Sequence, residues 1–127
     1  MATTTSQKSA QKSAQIPDDV KMYVNIVLDA LKRALETNNF TLEIYNEYAV
    51  IKIPDIKAII DRHGLYIMYK DIDVVYSDYV VRVKVYRDPY DFPDEYYAHD
   101  YWATLEDLYQ LAREVVKDRL ENVLIWI

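Results

Sequence analysis

The feature that most restricts the fold is a double change in hydrophobic period. Val20, Tyr23, Val24, Val27, Leu28, Leu31 and Leu35 recur every three or four positions, the spacing of one helical face. Between Phe40 and Arg87 apolar residues mostly alternate or run together, as strands require. From Leu105 through Leu108, Ala112, Val115, Val116 and Leu120 to Val123 the helical spacing returns. A chain ordered in this way must lay amphipathic helices over the apolar face of a sheet.

Local signals divide the chain further. Pro17, followed by Asp18 and Asp19, reads as a helix start with Pro at the first helical position, and Asn38-Asn39 reads as its stop. Phe40–Tyr45 and Tyr48–Ile53 flank Asn46-Glu47 as a hairpin that Pro54 ends. Asp55 is then placed to cap a short helix over Ile56–His63, with Gly64 as a left-handed residue past its end. Leu65–Tyr69 reads as a central strand, and Ile72–Tyr76 and Tyr79–Arg87 flank Ser77-Asp78 as a second hairpin. A linker, Asp88–Ala103, leads to a final helix capped by Thr104 with Asp107. The expected fold class is therefore α+β: two layers, a mainly antiparallel sheet packed by two long helices plus one short helix, in the order α-ββ-α-βββ-α. Residues 1–16 read as a flexible arm and 17–127 as a single domain.

Composition excludes several functions. One glycine in 127 residues leaves no Gly-rich loop to cradle a phosphate, and the absence of cysteine excludes a disulfide framework or thiolate site. Two of the 15 basic groups, Lys8 and Lys12, sit in the arm, leaving 13 against 21 acids in the rest, a formal −8. That charge repels phosphate backbones, so general nucleic-acid binding is not expected. No secretory h-region and no membrane-length apolar run is present, which points to an intracellular, cytoplasmic protein without a membrane partner. The cysteine-free, glycine-poor, Tyr/Ile/Val-rich composition resembles that of small proteins of hyperthermophilic archaea and their viruses, and suggests a viral or host-modulating factor.

Catalytic patterns are weak. His99 and Asp100, with Asp91, Asp94 or Glu95, offer metal-ligand types without metal-ligand spacing, so no metal or other cofactor is expected. The nuclease pattern fails because Arg82-Val83-Lys84 carries a cation where the metal-binding acid belongs. The body holds a single serine, Ser77, and no nucleophile elbow. The expectation is a protein without enzymatic activity.

The unusual segment is Asp88–Asp107, with seven acids, six aromatic residues and no Lys or Arg. Tyr and Trp dominate interface hot spots, and carboxylates steer cationic partners. The sequence therefore points to a protein-interaction module that meets a basic protein partner through Tyr90, Asp91, Phe92, Asp94, Glu95, Tyr96, Tyr97, Tyr101 and Trp102, a nucleic-acid mimic in its sharpest form. The alternative is nucleic-acid binding through a sheet face carrying Arg82, Lys84 and Tyr86. Val123–Ile127 is apolar all round, which suggests a homodimer through the C-terminal helix.

Overall fold

The computed structural model describes residues 15–119. Helix α1, Asp18–Glu36, buries Val20, Val24, Val27, Leu28, Leu31 and Leu35, the stripe its period requires. Pro17, at φ −58°, is the residue before the helix rather than its first, and its carbonyl accepts the Lys21 N–H at 3.0 Å. The helix stops as its asparagines suggest. Asn38 takes φ 60°, its N–H bonds the Leu35 carbonyl, and Asn39 N–H bonds the Ala34 carbonyl, which together form a Schellman closure.

Seven strands follow: β1 Thr41–Ile44, β2 Ala49–Ile53, β3 Ile56–Ile60, β4 Gly64–Tyr69, β5 Ile72–Ser77, β6 Val80–Val85 and β7 Asp94–Tyr97. They form one sheet in sequence order, every neighbouring pair antiparallel. A 3₁₀ turn, His99–Tyr101, leads into α2, Trp102–Arg119. Helix α2 lies against β3 to β6 and beside α1, so both helices cover the same face of the sheet. Ala49, Ile51, Ala58, Ile60, Leu65, Ile67, Val74 and Val83 meet them there in one core. The α+β class, the antiparallel sheet and the two long helices are as expected from the sequence.

Ile56–Ile60 is a strand where a short helix was expected. The run Ile-Lys-Ala-Ile-Ile satisfies both periods, but the short segment Ile56–His63 cannot offset the cost of helix nucleation, and β-branched side chains favour the sheet. Pro54 and Asp55, the latter at φ 67°, turn the chain so that Ile53 pairs with Ile56, placing Ile56, Ala58 and Ile60 inward. Gly64 consequently has no helix to terminate. It begins β4 with a non-positive φ, and a Cβ there would lie 1.7 Å from the Tyr76 carbonyl oxygen. Close approach of two backbones is what demands glycine.

Three smaller boundaries also move. The β5–β6 turn centres on Asp78 and Tyr79, at φ 51° and 67°, with Ser77 paired to Val80. Thr104 lies inside α2, which starts two residues earlier, so Thr104 and Asp107 do not form a cap; they line a groove against α1. Ile16, assigned to the arm, is buried in the core at 7% exposure. Residues 1–14 of the arm and the apolar end Val123–Ile127 invoked for a homodimer lie outside the described residues.

Candidate functional site

The segment expected to be a linker contains the edge strand β7. Register with β6 pairs Lys84 with Glu95 and Val83 with Tyr96, so alternate side chains of β7 point to opposite faces of the sheet. Tyr96 enters the core at 9% exposure, whereas Glu95 and Tyr97 are exposed. Tyr96 is thus placed where no partner can reach it. Tyr101 is half-buried against the core, and its hydroxyl donates to Asn25 Oδ1 at 2.8 Å, tying the 3₁₀ turn to α1. Burial raises the pKa of that phenol. Trp102, at the start of α2, remains partly exposed.

The proposed acids also separate. Asp94 Oδ2 accepts from Arg87 Nε at 3.2 Å, and Glu95 lies 3.6 Å from Arg82. His99 stacks beside Tyr97, with ring centroids 6.3 Å apart. Among the described residues no group of three His, Asp or Glu side chains is arranged to hold a metal ion.

What stays together is the tip between β6 and β7. Asp88 Oδ1 accepts the Tyr90 N–H at 2.9 Å, and Asp91 Oδ1 accepts the Phe92 N–H at 2.8 Å. A further bond joins the Asp91 N–H to the Asp88 carbonyl at 3.2 Å. These local bonds are the reason aspartate is useful in such a turn. They hold Tyr90 and Phe92 almost wholly in solvent, at 97% and 91% exposure. Neither Asp88 nor Asp91 forms an ion pair among the described residues.

The face of the sheet away from the helices carries Arg82, Lys84 and Tyr86. Its cations are interleaved with carboxylates. Arg82 faces Glu95, Lys84 is flanked in register by Asp73 and Glu95, and Lys52 Nζ bonds Glu43 Oε2 at 2.9 Å. Tyr86 donates to Asp73 Oδ2 at 3.0 Å, and burial together with that carboxylate raises its pKa. A phosphate backbone would meet as much repulsion as attraction there. Arg82 Nε is buried with no hydrogen-bond partner among the described residues.

A polar cleft at one end of the sheet was not anticipated. It is bounded by the β3–β4 turn (Arg62, His63), the β5–β6 turn (Asp78, Tyr79) and one face of α2 (Glu106, Tyr109, Gln110, Arg113). The two turns are tied by the Asp78 N–H donating to the His63 carbonyl at 3.1 Å, with His63 Nδ1 3.6 Å from Asp78 Oδ1. Tyr76 is buried beneath, and its hydroxyl donates to Glu106 Oε2. Burial first, and the Glu106 carboxylate second, hold the Tyr76 pKa well above the ordinary phenol value. Burial likewise raises that of Tyr109, whose hydroxyl donates to the Asp61 carbonyl at 2.8 Å. The one sequence trace of this cleft is the spacing i, i+3, i+4 and i+7 from Glu106, which places Glu106, Tyr109, Gln110 and Arg113 on one face of the helix.

Compared with known proteins, the chain matches no family model, no curated protein and no solved structure.

Proposed function

We propose that the chain is a non-enzymatic protein-interaction module that engages a basic protein surface with the β6–β7 tip. The observation that carries this reading is the pair of nearly fully exposed rings, Tyr90 and Phe92, beside two carboxylates without a cation. Leaving two aromatic rings in water forgoes the burial that normally makes such residues stabilising. The side-chain turns of Asp88 and Asp91 order the tip in advance, which lowers the entropy cost of binding. The contact surface is thereby narrowed from nine residues to Tyr90, Asp91 and Phe92, with Tyr97 and Trp102 nearby in sequence and partly exposed. Two unpaired acids at the tip are too few to imitate a row of phosphates, so the partner is read as a protein surface and not as a nucleic-acid-binding cleft.

The test is a quantitative capture of partner proteins from a source lysate with Tyr90→Ala/Phe92→Ala beside the parent chain. The doubly substituted protein should keep its melting temperature and lose the partner, and the parent's capture should weaken as salt rises. Equal capture by both proteins would refute the assignment.

A further inference from the structure

The sheet has two edges, and they are finished differently. On one side stands β7, with Pro93 directly before it and its Asp94 and Glu95 facing the cations of Arg87 and Arg82. Proline and charge are devices that keep an edge from recruiting another strand. On the other side stands β1, Thr41-Leu42-Glu43-Ile44, which has no proline and a single acid. That acid is already occupied, since Lys52 Nζ bonds Glu43 Oε2 at 2.9 Å.

The backbone of the β1 edge is open. Register pairs Thr41 with Lys52 and Glu43 with Val50, and the Tyr45 N–H donates to the Tyr48 carbonyl at 2.9 Å. Hydrogen-bonded pairs alternate along an antiparallel ladder. Thr41, Glu43 and Tyr45 therefore turn their N–H and C=O groups toward β2, and Leu42 and Ile44 turn theirs outward. Among the described residues no strand receives them. The side chains at this edge are apolar as well. Phe40 and Leu42 are only partly buried against the core, and Ile44, Tyr45 and Tyr48 are exposed.

We propose that a second copy of the chain joins at this edge, β1 against β1 in antiparallel register, so that the two sheets become one. Three conditions select that occupant and its register. Residues opposite each other must share a face of the sheet, the outward backbone groups must meet, and like charges must not. A two-fold axis through Leu42 meets all three. Leu42 then faces Leu42 of the second copy, Phe40 faces Ile44 of the second copy, and Thr41 faces Glu43 of the second copy. About six backbone hydrogen bonds close across the joint. A shift of one residue sets apolar side chains on the wrong face. A shift of two either puts Glu43 against Glu43 or shortens the pairing to Phe40–Leu42. One strand that is complementary to itself is what a two-fold interface requires. The β1 edge and the β6–β7 tip lie at opposite sides of the sheet, so each reading stands or falls without the other.

The experiment is sedimentation velocity of the full chain from micromolar to millimolar concentration, with hydrogen exchange of the backbone amides measured beside it. The parent should pass from monomer to dimer over that range. The Leu42 and Ile44 amides should exchange at least tenfold more slowly in the dimer, whereas those of Thr41 and Glu43, already in the ladder, should change less. Ile44→Lys alters an exposed side chain, so at low concentration it should melt close to the parent, and its dimer should be at least tenfold weaker. The chain has no cysteine, so Thr41→Cys and Glu43→Cys report the register. Directly opposite residues lie within disulfide reach, and an oxidised mixture of the two variants should give a crosslinked dimer that neither variant gives alone. The proposal is overturned if the parent stays monomeric, or if Leu42 and Ile44 exchange slowly at every concentration, which would mean that another part of the chain covers the edge. It is equally overturned if Ile44→Lys dimerises as tightly as the parent, which would move the joint to another surface, or if the mixture crosslinks no better than Glu43→Cys alone.

Discussion

Substituting Gly64 by alanine separates close backbone approach from the other reason a chain uses glycine. The added Cβ would sit 1.7 Å from the Tyr76 carbonyl oxygen, 2.7 Å from its carbon and 2.9 Å from the Ser77 Cα. Those are backbone atoms of the paired strand, which no side-chain rotation can clear, so the start of β4 must move away from the end of β5. Four hydrogen bonds converge on this point. Asp61 Oδ1 accepts from His63 N–H and Gly64 N–H at 2.8 and 3.0 Å, Asp61 N–H reaches the Gly64 carbonyl, and Asp78 N–H reaches that of His63. Losing two of the four costs about 2 kcal/mol. The strain imposed on the neighbouring buried Leu65 and Tyr76 adds about 1–3 kcal/mol. Urea unfolding followed by far-ultraviolet circular dichroism should therefore show Gly64→Ala to be destabilised by about 3–5 kcal/mol. Gly64→Asn is the control. At a left-handed position asparagine is tolerated, whereas against a carbonyl it fails as alanine does. An alanine variant within about 0.5 kcal/mol of the parent, or rescue by asparagine, would refute the reasoning.

Four other outcomes are expected. Asn38→Ala should cost about 1 kcal/mol in urea unfolding, because alanine resists φ 60° and the bond from Arg119 Nη2 to Asn38 Oδ1 at 2.7 Å is lost. The raised phenol pKa values of Tyr76 and Tyr109 mean that the folded chain keeps protons which the unfolded chain releases near pH 10. Their stabilisation is thus fully present below about pH 10 and is lost as pH climbs above it; the urea midpoint should hold up to about pH 9 and fall from about pH 10 upward, less steeply in Tyr76→Phe. At neutral pH, Tyr76→Phe should cost about 1–2 kcal/mol, since Glu106 loses a donor. Tyr90→Ser/Phe92→Ser should unfold within about 0.5 kcal/mol of the parent, as both rings are in solvent.

The sequence made α1 legible because nineteen residues carry one unbroken period and end on asparagines suited to a left-handed stop. The strands from Leu65 onward were legible from alternation and β-branched content. Ile56–Ile60 was not, because five residues fit either period and the decision came from the Pro54-Asp55 turn and from pairing with β2 and β4. β7 was hidden for another reason. Its Asp-Glu-Tyr-Tyr composition lies between Pro93 and a 3₁₀ turn, and only register with β6 sends Tyr96 inward and Tyr97 outward. The same register divided the acidic and aromatic segment: local spacing could not tell that Asp94 and Glu95 would find Arg87 and Arg82 while Tyr90 and Phe92 found nothing. The cleft was illegible because its groups come from three separate segments. Only the stripe from Glu106 to Arg113 left a mark in the chain.

The most direct measurement of the interaction reading is site-specific photocrosslinking in cells of the source. A photoreactive phenylalanine is placed at Tyr90, at Phe92 and, as a control, at Glu47 in the β1–β2 turn. Positions 90 and 92 should give one shared adduct with a basic protein, diminished by added salt and absent from position 47. No adduct at the tip, or the same adduct from position 47, would contradict the account.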